Sequence, residues 1–240
     1  MPFLPPLARA EGALEIIDGP PVPFAEMACC MTDIARVNAL FGGRMVTMIH
    51  VKRLLAALPA DRLITVLDVG TGAGDIPRAV VRWARRQGRR IRVFALDRDA
   101  DTLRIAAQVV RGYPEFTFLQ GDALALPIRP ESVDLTISAM TLHHLEPDAG
   151  VQYLAEMDRA ARVGMVVNDL ARSRLAHAVV WVLTRFITRS AISRHDGPLS
   201  VRRAYTPAEV SGLCEKAGLP DAAVVHHWPY FRLCAVRTKR

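Results

Sequence analysis

The stretch VLDVGTGAGDIP, residues 66–77, constrains the fold more than any other part of the 240-residue chain. An apolar run over 64–69 leads into glycines at every second position, Gly70, Gly72 and Gly74, and a helical pattern opens directly behind them. A buried strand that turns through glycines into a helix is the opening unit of an alternating β/α sheet, and its exposed backbone amides invite the close approach of a ligand. The rest of the chain repeats that unit. Ile76, Ala79, Val80 and Trp83 share one helical face over 76–86, strands are predicted over 91–96, 116–119, 133–138 and 164–167, and helices over 99–111 and 149–161. The expected fold is α/β, a doubly wound, mostly parallel sheet with helices on both faces. Thr206-Pro207-Ala208-Glu209 reads as a capping box opening one more helix, and runs over 222–227 and 231–236 read as an antiparallel pair that brings the sheet to seven strands.

Other segments surround this core. Residues 1–24 are proline-rich and weakly patterned, which predicts a mobile or extended arm, and 25–58 reads as two short helices around Phe41-Gly42-Gly43 that form a lid. After the fifth strand, 175–192 reads as one apolar helix. The expected organisation is an arm and lid over 1–60, a core over 61–170, a helical insertion capping an acceptor over 171–204, and a closing helix and strand pair over 205–240.

Composition limits the setting. With 51% hydrophobic residues the chain can bury a real core, and its net charge of +7 rests almost wholly on arginine. Cys29, Cys30, Cys214 and Cys234 show neither CxxC spacing nor a zinc-finger pattern, so a reduced, cytoplasmic protein without a metal is expected. No basic leader precedes an apolar stretch, and the apolar run over 176–187 is too short to span a bilayer, so a soluble protein is expected.

Acidic residues decide what the glycine loop holds. Gly-x-Gly-x-Gly departs from the dinucleotide fingerprint, because Asp75 stands where its last glycine belongs. A pyrophosphate would be repelled by Asp68 and Asp75, so the ligand carries no phosphate. Asp97 ends the second strand, where a carboxylate can accept from both ribose hydroxyls, and Asp122 follows the third, within reach of an adenine amino group. Glycines at the first strand end and acids at three successive ones describe a cationic nucleoside that bears an amino acid. Asp99 reads instead as a helix N-cap.

DVGTGAG, ALDRD, QGDALALP and VDLTISAMTLHHL together resemble the class I S-adenosylmethionine-dependent methyltransferases, in their small-molecule (type 11/25-like) branch, over about 66–169. The resemblance implies a Rossmann-like core, S-adenosyl-L-methionine as cofactor and S-adenosyl-L-homocysteine as product. It places Gly70, Thr71, Gly72 and Gly74 against the methionine portion and Asp68 near its amino group. Asp97 would hold the ribose, Arg98 would be a further cofactor-binding residue, and Asp122 with Ala123 would border the adenine.

Methyl transfer to a hydroxyl requires alignment and removal of a proton. His143 and His144 follow the fourth strand, and Asp169 the fifth, so one histidine assisted by Asp169 is the candidate base. His195-Asp196-Gly197-Pro198 and Tyr205 are secondary acceptor-pocket candidates, while His50, His177, His226 and His227 read as structural, His50 and His177 without metal-ligand partners. The apolar insertion must bury against something: packing on the first helices accounts for it, and a lipophilic pocket or transient membrane contact is the functional reading. Both are compatible with a hydrophobic aromatic, polyketide-like, quinone-like or isoprenoid acceptor, with methylation on oxygen expected and a monomer or homodimer. One alternative is an RNA methyltransferase, motivated by Arg78, Arg82, Arg85, Arg86, Arg89, Arg90 and Arg92. Against it, stable nucleic-acid binding is not expected, because neither the paired-proline aromatic motif nor a catalytic cysteine motif is present. Another alternative is a non-catalytic cofactor-binding regulator.

Overall fold

Five parallel strands carry the alternation: β1 (Ile64–Val69), β2 (Ile91–Asp97), β3 (Phe116–Gln120), β4 (Val133–Ala139) and β5 (Ala161–Leu170). In this computed structural model, which describes residues 7–239, β6 (Ala223–His227) and β7 (Arg232–Thr238) complete a seven-stranded sheet of order β3-β2-β1-β4-β5-β7-β6. β7 runs antiparallel to both β5 and β6. The order reverses between β1 and β4, and the carboxyl ends on either side of such a reversal form the natural ligand crevice of an open α/β sheet.

Side-chain alternation along β1 explains the two layers. Ile64 and Val66 face one side with Val80, Val81 and Ala84 of α3 (Asp75–Arg86), and Leu67 and Val69 face the other with Tyr153, Leu154 and Met157 of α5 (Pro147–Ala160). Local signals hold where the chain supplies its own partners. Asp99 caps α4 (Ala100–Val109) by accepting the Thr102 N–H at 2.7 Å. Thr206 and Glu209 form the expected capping box of α8 (Pro207–Lys216).

Three expectations are corrected. α1 (Phe24–Leu40) and α2 (Gly43–Ala56) turn at Phe41-Gly42 as read, but α2 is no lid: Val51, Leu54 and Leu55 are buried against Ile64, Val66 and Ile137. An apolar helix face of that size is stable only when covered, and the sheet covers it. The arm over residues 1–24 is, in its described part, a docked strap; residues 1–6 of that expectation lie outside the described residues. The strap's backbone is paired with distant groups. Ala10 N–H donates to the Arg202 carbonyl at 2.9 Å, and Ile16 and Ile17 N–H donate to the two Asp196 oxygens at 3.0 and 3.1 Å. The insertion is two helices, α6 (Arg174–Ile187) and α7 (Ala191–Arg203), rather than one. Ser190 caps α7, and Asp33 of α1 accepts the Arg189 and Ser190 N–H groups at 2.8 Å each, which fixes the break.

Among the described residues no helix is long and apolar enough to cross a membrane. α6 nonetheless leaves Leu175, Trp181, Val182 and Phe186 exposed, Phe186 at 84%.

Candidate active site

The glycine loop lies where β1 enters α3, and its backbone is left-handed at Gly70, Gly72 and Gly74. Gly70 shows why a side chain is excluded, since a Cβ there would lie 2.4 Å from Thr141 Oγ1. Thr141 in turn opens the single helical turn Leu142–His144, so the loop after β1 packs against the residue that leads into the histidine pair after β4. Gly72 N–H donates to Asp97 Oδ2 at 3.0 Å, and Asp99 N–H donates to Asp97 Oδ1 at 3.2 Å. Burial pushes the Asp97 carboxyl above its ordinary range against those two donors.

Asp68 is 2% exposed and makes no ion pair among the described residues. Burial, with Asp75 and Asp97 nearby, pushes its carboxyl up to about 7. Burial also raises Asp75. Three acids whose ionised form is disfavoured thus meet at one crevice. Thr71 is buried beside them, with its N–H held by the Leu96 carbonyl at 2.9 Å. Asp122 is exposed and accepts the Leu124 N–H at 2.8 Å, and Ala123 packs partly against the core. Arg98 turns to the strap, where it pairs with Asp18 at 2.7 Å.

Beyond this crevice a chamber opens between the strap, α1, α6, α7 and the ends of β4 and β5. Ile17, Ile34, Val37, Met140, Leu170 and Val180 give it apolar walls. Several of its polar groups are linked through the histidine turn. His143, 1% exposed, donates its backbone N–H to Asp169 Oδ2 at 2.9 Å, and its Nδ1 lies 2.6 Å from Asp169 Oδ1. Burial alone would raise Asp169, but His143 and two backbone N–H groups together hold it below the usual carboxylate range. Asp169 therefore fixes the ring with Nδ1 occupied and Nε2 turned away from it. His144 Nδ1 pairs with Asp18 of the strap. Arg203 of α7 holds the turn by donating to the His143 and His144 carbonyls at 3.2 and 2.7 Å.

The structure brings His143, His144 and Asp169 together as read, and it adds groups that sequence reasoning missed. Glu15, Asp18, Asp196 and Arg203 all belong to this set. Glu15 is followed by Ile16-Ile17, a β-branched apolar pair in a proline-rich arm, and that pair is a signal that the arm docks. His195 points outward, its side chain 57% exposed, and Tyr205 donates its hydroxyl to the Leu145 carbonyl at 2.7 Å beneath the Arg9 guanidinium. His50 has a partner after all, with its Nε2 2.8 Å from His227 Nε2 across the α2 and β6 contact.

Residues 66–164 match a family model described as a methyltransferase domain. The chain is 32% identical over 178 residues to the 2-phytyl-1,4-naphtoquinone methyltransferase of Thermosynechococcus vestitus, covering 69% of this chain and 75% of that protein. It is 34% identical over 168 residues to the demethylmenaquinone methyltransferase of Roseiflexus castenholzii, covering 65% and 67% respectively. In fold it resembles human N-acetylserotonin methyltransferase in complex with S-adenosylmethionine, with a TM-score of 0.61 at 18% identity over 90% of this chain and 56% of that one. The fold and the acid-lined glycine crevice define a group-transfer enzyme built around a nucleoside cofactor. The chain belongs to the class I S-adenosylmethionine-dependent methyltransferases.

Proposed function

We propose that the enzyme methylates an oxygen of a hydrophobic phenolic acceptor, polyketide-like or quinone-like, held in the apolar chamber. The observation that carries this reading is the chamber itself. Its walls are aliphatic, and its polar set is centred on a histidine that a buried aspartate orients. The named relatives that act on quinones support a ring-bearing, lipophilic acceptor. Exposed Trp181, Val182 and Phe186 on α6 support contact with a lipid surface from which such an acceptor is drawn.

The residues present fit the cofactor. A buried Asp68 with the Thr71 hydroxyl as its polar neighbour and no ion pair among the described residues suits a cation, and Gly70, Gly72 and Gly74 leave room for a chain to pass. Asp97 retains acceptor capacity beyond the two N–H groups it holds, Asp122 and Ala123 border the next position along the crevice, and Arg98 serves the strap instead. Bound there, S-adenosylmethionine supplies an electrophilic methyl carbon and a sulfur leaving group. The chain's own task is to align the acceptor oxygen and to hold its proton, which ends on the His143–Asp169 pair. Methyl transfer from labelled cofactor to menadiol and to alkylphenols, with the product's methyl carbon assigned by NMR, tests the reading. His143→Gln is expected to lower kcat by about 100-fold with cofactor affinity unchanged; unchanged turnover would remove His143 from the mechanism.

The arginines favour the RNA reading less. Of the arginines that motivated it, Arg85 pairs with Glu115, Arg89 holds the carbonyls of Leu55, Leu58 and Pro59, and Arg78 and Arg90 hold those of Val109 and Asp61. Those cations stabilise turns of their own chain.

A further inference from the structure

Glu15 reaches the chamber on the docked strap, and it is 3% exposed. Its Oε2 accepts the Ser200 hydroxyl at 2.9 Å. Its Oε1 is buried with no hydrogen-bond partner among the described residues, although it lines the chamber. The nearest groups stand off from it: Arg203 Nε at 3.6 Å, His143 Nε2 at 3.7 Å and His144 Nδ1 at 3.9 Å. Arg203 Nε and Nη2 are instead drawn to the His143 and His144 carbonyls. His143 has its Nδ1 on Asp169, so its Nε2 faces Glu15 as a second acceptor rather than as a donor. When Glu15 is ionised, its Oε1 and the Nε2 face each other as acceptors across a gap in an apolar enclosure, an arrangement that a donor from outside satisfies.

We propose that Glu15 is a catalytic residue of this chamber, its Oε1 receiving the hydroxyl proton of the acceptor and passing it to His143 Nε2. The proposal rests on the acceptor reading given above. The acceptor O–H bond breaks toward Glu15 Oε1, the acceptor oxygen forms its new bond to the methyl carbon, and the C–S bond breaks with its electron pair left on sulfur. Glu15 then gives the proton to His143, whose imidazolium is stabilised by Asp169 and loses the proton to solvent as product leaves. The strap thus completes the site, and Asp196, which holds the Ile16 and Ile17 N–H groups, positions Glu15.

The environment of Glu15 suits a proton carrier. Burial pushes it up to about 7, with Asp196 and Asp18 acting in the same direction and His144 and Ser200 against them. Arg203 and His143 face it as well, and Cys30 and Asp33 of α1 line the same chamber.

The test compares Glu15→Gln with His143→Gln and wild type, using menadiol or whichever alkylphenol of the panel turns over. Glu15→Gln is expected to lower kcat by about 100-fold while cofactor affinity and melting temperature hold. The wild-type rate should rise with an inflection near pH 7 that the variant lacks. Without turnover, the Glu15 carboxyl carbon resonance, identified by its loss in Glu15→Gln, should titrate near 7 and shift when 4-nonylphenol is added with S-adenosylhomocysteine. Loss of activity in His143→Gln with none in Glu15→Gln would overturn this proposal and leave the acceptor reading standing. Loss in neither would overturn this proposal and remove His143 from the mechanism as well. A fall in melting temperature and rapid proteolysis of the strap in Glu15→Gln would overturn it in favour of a structural role. Abolition of wild-type activity by EDTA with restoration by Mg²⁺ or Zn²⁺ would also overturn it, making Glu15 and the two histidines, whose ligand atoms lie within 4.8 Å of one another, a metal site.

Discussion

Asp68 and Asp97 stand at the carboxyl ends of neighbouring strands, and the two differ in how their charge is handled. Asp97 has two backbone donors, whereas no ion pair relieves Asp68. A ligand that brings positive charge favours ionised Asp68, so binding of S-adenosylmethionine should expel a proton whenever the solution is below the Asp68 folded value of about 7. Affinity is then expected to rise with pH between 5.5 and 7, approaching about tenfold per unit at the acid end, and to level off above. Calorimetry in two buffers of different ionisation heat measures the proton directly; a pH-independent affinity would remove Asp68 from the cofactor site. Asp97→Ala should weaken the same binding by about tenfold or more, since a hydrogen bond to a charged group is worth about 1.5–3 kcal/mol.

Elements announce themselves in the sequence when their signals are local. The strands, the glycine turn, the Asp99 cap and the Thr206 capping box could all be read, because each depends on residues within one turn of itself. The strap could not, because its order is imposed by Glu146 and Asp196, which lie 134 and 180 positions away from the N–H groups they accept. The same holds for the break between α6 and α7, where Asp33 acts from 156 positions away. His143 and Asp169 were legible as residues at strand ends, whereas Glu15 was hidden in a segment without periodicity. Asp196→Asn tests the strap at this scale: one of the two strap N–H groups loses its acceptor or meets an amide donor. Faster proteolysis over residues 9–18 and a raised KM for the acceptor are expected, with cofactor affinity unchanged. Gly70→Ala should do the opposite. Its Cβ would collide with Thr141, and left-handed backbone costs a non-glycine residue about 1–2 kcal/mol, so cofactor binding is lost first.

At the scale of the whole molecule, the raised acids couple stability to pH in an unusual direction. Glu15 and Asp68 bind protons more tightly folded, at about 7, than unfolded, near 4.5 and 3.8, so between those values the native state holds the extra protons. Stability therefore falls as pH rises through that window, and Asp75 and Asp97 act in the same direction, while Asp169 and Asp18, held below their ordinary value, act the other way only at more acid pH. Urea unfolding of the cofactor-free protein should show a lower midpoint at pH 8 than at pH 6, and saturating S-adenosylmethionine should reduce the difference by satisfying Asp68. A midpoint that rises with pH would contradict the burial of uncompensated acids. The chamber has its own consequence at this scale. Most of its walls come from the strap, α1, α6 and α7, outside the stretch 66–164 that carries the crevice of glycines and acids. Substitutions that reshape the guest's berth therefore leave the methyl donor's berth intact, so a lineage with this architecture can change what it modifies while keeping how it modifies.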